Sequence, residues 1–205
     1  MTLRTVLTLV VVAMVSVGCG SDATEAVEPP HSIHEPWQVE PFAVDQALLT
    51  SAQAACGDMV AEQRAPEGAL SLVAADARGG SHLFLVSANQ NAESECFVEI
   101  ARTGEATTKS GGASSGDVFK PLVPGGIELV GSSSGSTGAD TMSSLVGRAG
   151  PGVARVVVTL ADNRPVVASL SSLGWYAAWW PDGTPSAKVT AYDGAGVVTS
   201  TSATQ

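Results

Sequence analysis

The sequence predicts a mainly β domain, an antiparallel sandwich or distorted barrel, with one N-terminal helix packed on it. Three observations carry this reading. Short runs rich in Val, Leu, Thr and aromatic residues recur from Leu70 onward, roughly every ten residues in the C-terminal third between Val153 and Val198, as the strands of a sandwich do. Turn-forming clusters punctuate them, among them Asp76-Ala77-Arg78-Gly79-Gly80, Ala149-Gly150-Pro151-Gly152, Asp162-Asn163-Arg164, Pro181-Asp182-Gly183 and Asp193-Gly194; Gly, Asp and Asn favour such bends for backbone reasons. One stretch, residues 45–56, repeats apolar residues at helical spacing.

In that helix Asp45 is the N-cap. Leu48, Leu49, Ala52, Ala55 and Cys56 form one apolar stripe, and Gly57 is the expected C-cap. Strands follow at residues 69–75, 82–87 and 95–101. In the last, Cys96, Val98 and Ile100 share a face, because side chains alternate. Residues 103–116 and 132–138 are rich in Gly and Ser and read as loops around a short strand at 127–131. The C-terminal third predicts strands at 153–161, 165–170, 174–180 and 187–192, with a last extended pair at Val197-Val198. Residues 70–100 and 153–180 share an order of strand, Asp-x-Arg turn and strand, which reads as a common hairpin grammar.

The first eighteen residues stand apart. Arg4 and the amino terminus are positive, and residues 6–17 are apolar and uncharged. A run of that length is short of the roughly 20 residues a spanning helix needs, and fits the core of a signal peptide. Ser16-Val17-Gly18-Cys19 resembles the lipobox of bacterial lipoproteins, in which the cysteine becomes the acylated first residue. Gly18 and Cys19 match that pattern; Ser16 departs from it, since a larger aliphatic residue is usual there. The resemblance implies a signal peptide at 1–18, lipidation at Cys19 and an extracytoplasmic domain anchored to the cell membrane. Cleavage and release of an ordinary secretory protein is the alternative. Residues 19–44 are acidic and Pro-rich, with no Lys or Arg, and read as an extended tether. Residues 45–200 form the single β-rich domain and 201–205 a tail.

Export sets the redox state. Cys56 and Cys96 remain as an even pair in an oxidising compartment and are expected to form a disulfide; two free thiols or a two-ligand metal site are the alternatives. No further Cys or well-placed His completes a tetrahedral zinc set, so neither metal nor other cofactor is expected. The net charge of -10 argues against nucleic acid, whose phosphates need clustered Lys and Arg. It also argues against a polybasic membrane patch. The expected partners are the membrane, through the lipid, and a glycan or envelope protein.

Gly131-Ser132-Ser133-Ser134-Gly135 and Gly112-Ala113-Ser114-Ser115-Gly116 both satisfy G-x-S-x-G. A nucleophile elbow needs that motif between strand and helix, with an acid and then a His after it. His31, His34 and His82 precede both serines, and low-complexity segments produce the pattern by composition. His31, His34 and Glu35 stand between Pro30 and Pro36 and read as solvated linker rather than a metal grip. His82 reads as a surface or edge residue. Asp76 with Arg78, and Asp162 with Arg164, read as turn residues in preference to acid–base pairs.

Trp175, Tyr176, Trp179 and Trp180 are the densest local feature. On a strand Trp175, Ala177 and Trp179 face one way, assigned here to the core. Tyr176 and Trp180 face the other and form the candidate binding surface, where exposed rings would stack on a glycan or partner; burial of both faces is the alternative. The strings from Gly147 to Val153, Leu160-Ala161-Asp162 and Gly174 to Pro181, with the Asp76 turn and the Cys56/Cys96 pair, resemble a set of uncharacterised secreted or membrane-anchored actinobacterial proteins. The resemblance implies a Gram-positive exported domain and carries no activity or catalytic residue. The expected function is therefore a non-catalytic, membrane-anchored lipoprotein that binds or senses. A secreted serine hydrolase and an extracytoplasmic sensor partnering a membrane signalling protein are the alternatives.

Overall fold

The computed structural model describes residues 32–62, 68–115, 119–137 and 140–204. Residues 1–18, expected to be a signal peptide, and the candidate positions Cys19 and His31 lie outside the described residues. Helix α1 (Gln46–Glu62) opens the fold, followed by β1 (Ser71–Ala77), β2 (His82–Ala88), β3 (Ala92–Ile100), β4 (Ala106–Ser115), β5 (Ile127–Thr137) and β6 (Asp140–Ala149). The chain continues through β7 (Arg155–Leu160), β8 (Pro165–Val167), β9 (Ser169–Leu170), β10 (Trp175–Trp180), β11 (Ser186–Tyr192) and β12 (Val198–Ala203). The strands make three antiparallel four-stranded sheets: A, ordered β1-β2-β3-β4; B, ordered β5-β6-β10-β9; and C, ordered β12-β11-β7-β8. The mainly β, sandwich-like fold with one helix is as expected.

Asp45 caps α1, its Oδ1 accepting the Leu48 amide at 2.8 Å. The helix does not stop at Gly57 as expected. Gly57 has no positive φ, and one glycine inside a helix costs only about 1 kcal/mol. Tertiary contact outweighs that cost. Cys56 is bonded to Cys96 of β3, with Cα atoms 6.1 Å apart, and Ala52 and Cys56 pack with Leu83, Leu85, Val98 and Ile100. The disulfide therefore pins the body of α1, and not its last turn, to sheet A.

Three further expectations are corrected. The Gly/Ser segments are strands, β4 and β5, laddered along their length to β3 and β6. Strand formation here follows from pairing with a well-patterned neighbour, so weak intrinsic propensity is overridden. The run at 165–170 is two strands: β8 pairs with β7 in sheet C and β9 with β10 in sheet B, so the chain changes sheets at Ala168. The supposed tail is part of β12, which runs to Ala203.

The tether ends earlier than residue 44. Residues 32–45 lie on the domain as a strap. Gly80 donates its amide to the Glu35 carbonyl at 2.6 Å, Gln38 to Arg78 at 2.8 Å, Phe42 to Ala77 at 3.0 Å, and Val167 to Val39 at 3.0 Å. Ile33 is buried, and the Trp37 indole donates to the Trp179 carbonyl. Apolar Ile33, Trp37 and Phe42 spaced between prolines anchor what composition alone marks as solvated. Gly79 (φ 85°) makes the close approach feasible: a Cβ there would lie 2.4 Å from the Glu35 carbonyl oxygen.

Sheet B is the middle layer. Trp175, Ala177 and Trp179 pack with Val73, Phe84, Val86 and Phe97 of sheet A. Tyr176, Ala178 and Trp180 pack with Val156, Val158, Leu160 and Val189 of sheet C. Alternation along β10 thus feeds two cores. A buried ion pair ties the layers together at the point where the chain changes sheets. Asp76 and Arg78, both fully buried, meet at 2.6 Å. Arg78 also donates to the carbonyls of Val39 and Val167. Asp76 accepts from the Ser169 hydroxyl at 2.6 Å and the Trp179 amide at 3.1 Å. The turn reading for this pair is corrected; Gly79, Gly80 and Ser81, all at positive φ, make the turn. For Asp162 the reading stands: its Oδ1 accepts the Arg164 amide at 3.0 Å, with Asn163 at φ 68°.

Candidate binding cleft

Tyr176 and Trp180 are not an exposed binding surface. Tyr176 is wholly buried and Trp180 is 2% exposed, because sheet C covers the face that a two-layer sandwich would leave wet. The Tyr176 hydroxyl donates to the Glu128 carbonyl at 3.0 Å, and burial raises its pKa, with the nearby Glu128 charge adding to the effect. The Trp180 indole donates to the Thr184 carbonyl at 2.8 Å; the residue borders a small cleft of about 190 Å³ but is almost wholly buried.

The polar chemistry lies elsewhere, at a corner of the A–B interface. Glu93, Glu95 and Phe97 share the face of β3 that meets sheet B, opposite the face carrying Cys96 and Val98. Toward the Asp140 end of β6, sheet B turns from apolar to hydroxylated. Ser133 of β5 lies directly opposite Ser144 of β6, and Ser134 opposite Ser143. Cross-strand pairs of this kind hydrogen-bond readily: the Ser133 and Ser144 hydroxyls are 2.7 Å apart, and Ser143 donates to Ser134 at 3.1 Å. Glu95 Oε2 accepts from Ser144 at 3.2 Å and from Ser133 at 3.4 Å. Gly131, at a register shift in β5, leaves room for that carboxylate; a Cβ there would lie 3.1 Å from Glu95 Oε1.

These residues border a cleft of about 210 Å³ lined by Glu95 and Phe97 of β3, Ser110, Gly111 and Gly112 of β4, residues 133–136 of β5 and Met142 of β6. Burial, with the Glu93 charge beside it, raises the Glu95 pKa to about 7, against the hydroxyls of Ser144 and Ser133 that favour the charged form. The cleft therefore holds a carboxyl poised between its two states at neutral pH, on paired strands, over an apolar floor.

The other sequence candidates are dispersed. His34 Nδ1 is 3.0 Å from the Ser81 hydroxyl, and His82 Nδ1 is 2.6 Å from the Gly80 carbonyl oxygen, its ring edge-on to Trp179. Both belong to the strap and the β1–β2 turn. His82 opens β2, which is an interior strand of sheet A. Among the described residues no group of three or more His, Cys, Asp or Glu side chains is placed to hold a metal. Sequence reasoning missed Glu95 by treating it as the polar half of an alternating strand. Phe97, apolar between Glu95 and Glu99 on that same face, was the signal that the face meets another layer.

No family model matches the chain, and no curated protein is detectably similar to it.

Proposed function

We propose that the protein is a non-catalytic, extracytoplasmic lipoprotein, anchored through Cys19, whose task is recognition at the cleft beside Glu95. The observation that carries this reading is the cleft itself. A desolvated carboxylate, a row of serine hydroxyls and an apolar floor converge on one solvent-facing groove, held by strands rather than loops, as a preformed recognition site requires. Ser133, the central serine of the G-x-S-x-G string, lies within a paired strand instead of at a strand–helix elbow. The disulfide is consistent with an oxidising compartment. In cells, the wild type should take up labelled palmitate and sediment with membranes, whereas Cys19→Ser should do neither. An unlabelled, membrane-free wild type contradicts the anchor.

One observation favours a second reading. The Ser133 hydroxyl is within hydrogen-bond reach of a carboxyl whose pKa of about 7 suits a general base. A serine hydrolase would be labelled by an alkyl fluorophosphonate, with the label lost in Ser133→Ala. The binding reading expects no label on either protein.

A further inference from the structure

The cleft is flanked by two sheet edges. β4 ends sheet A and β5 ends sheet B, and among the described residues β5 is laddered on one side only. An edge strand is a template for another chain, and proteins usually block it with lysine, proline or a charge pointing outward. The β5 wall, Ser132-Ser133-Ser134-Gly135-Ser136, carries none of these. On β4 the one lysine, Lys109, is paired with Glu99. A Cβ at Gly135 would meet no atom of the described residues within 4 Å, so an incoming backbone can approach the β5 wall.

The floor has a sign. The groups that face Glu95 are Glu93 from its own strand, Ser133 from β5 and Ser144 from β6, two of them hydroxyls and the third an acid. Phe97 and Met142 beside it are 5% and 4% exposed and offer apolar contact to an aliphatic stem. A volume of about 210 Å³ equals about seven waters of liquid, room for one long side chain rather than a folded partner. The chain carries a net charge of -10, which favours encounter with a basic surface.

We propose that the cleft accepts an extended peptide segment of a partner protein, which adds as a strand to the β5 edge and lays a lysine or arginine against Glu95. Main-chain hydrogen bonds to β5 supply affinity, and the alternation of the added strand sends every second side chain into the cleft. The methylene stem of the basic residue lies on Phe97 and Met142 while its charge reaches the carboxylate. This rests on the cleft being a recognition site, and adds the class of ligand.

The test uses the ¹⁵N-labelled full chain in detergent micelles, titrated with acetyl-Thr-Val-Lys-Val-Thr-amide. Amide shifts are expected at residues 110–112 and 133–136. The same peptide with glutamate in place of lysine should bind about tenfold more weakly, as should the lysine peptide to Glu95→Gln. Methylation of alternate peptide nitrogens should abolish binding by removing the ladder. Equal affinity for the lysine and glutamate peptides, or full tolerance of N-methylation, overturns the proposal. If a neutral chitin oligosaccharide shifts these amides and the peptides do not, strand addition is wrong while recognition at the cleft survives. Silence toward all probes refutes both.

Discussion

Replacing Trp180 with alanine should destabilise the protein as much as replacing Trp179, although the two rings face opposite ways. Trp179 is fully buried and Trp180 is 2% exposed. An indole side chain buries roughly 150–250 Å², worth about 4–6 kcal/mol at ~25 cal/mol per Å². Compaction of the unfolded chain reduces that by roughly 10–40%, leaving about 3–5 kcal/mol, the usual cost of Trp→Ala in a core. Trp180→Ala also strands the Thr184 carbonyl that its indole holds at 2.8 Å, adding about 1 kcal/mol. Among the described residues the Trp179 indole finds no hydrogen-bond partner, and its backbone bonds to Asp76 and Trp37 survive truncation. A domain of this size is stable by about 5–15 kcal/mol, so both losses are large. Urea melts of the two variants and the wild type, followed by far-UV circular dichroism with the disulfide intact, measure them. A cost below about 1 kcal/mol for Trp180→Ala, beside a large one for Trp179→Ala, would show that sheet C does not cover β10.

Three further outcomes are expected. Arg78→Met should cost about 3–5 kcal/mol by leaving Asp76 charged and buried without its cation. Adding Asp76→Asn should recover at least about 1 kcal/mol of it; additive losses in the double-mutant cycle would deny the coupling. Gly147→Ala should lower the melting temperature by several degrees or more, since its Cβ would lie 2.2 Å from the Tyr176 ring and hydroxyl and Tyr176 is fully buried; an unchanged melting temperature contradicts that packing. Glu95 has a pKa raised from 4.5 to about 7, so between those values the folded state holds a proton the unfolded state has lost. Stability should therefore fall by about 1–3 kcal/mol as pH rises from about 4.5 to 7 and level off above. Glu95→Gln should flatten that slope; an identical slope in the variant refutes the assignment.

Much of the fold was legible in the sequence because its signals are local. Asp45 marks the start of α1, and the alternation of Cys96, Val98 and Ile100 marks the face that the helix covers. The turns at Asp162 and Asp193 carry their own side-chain hydrogen bonds. What was not legible depends on partners distant in the chain. β4 and β5 are strands because β3 and β6 pair with them, and nothing within their Gly/Ser composition announces it. The strap is ordered because Ile33 and Phe42 pack with Ala77, Trp37 meets Trp179, and Gln38 and Val39 bond Arg78. Tyr176 and Trp180 looked free because the sequence does not count sheets; the strand run split at Ala168 builds the third layer that buries them. The cleft combined both difficulties, since Glu95 and Ser133 are 38 residues apart and meet only when sheets A and B stack.

The central claim is that a recognition domain is held at the membrane by lipid on Cys19. Mass spectrometry of the N-terminal peptide, recovered from the membrane fraction of cells making the full chain, tests it most directly. The expected peptide begins at Cys19 and carries acyl chains. A peptide that begins elsewhere or carries no lipid, recovered from the culture medium, would contradict it.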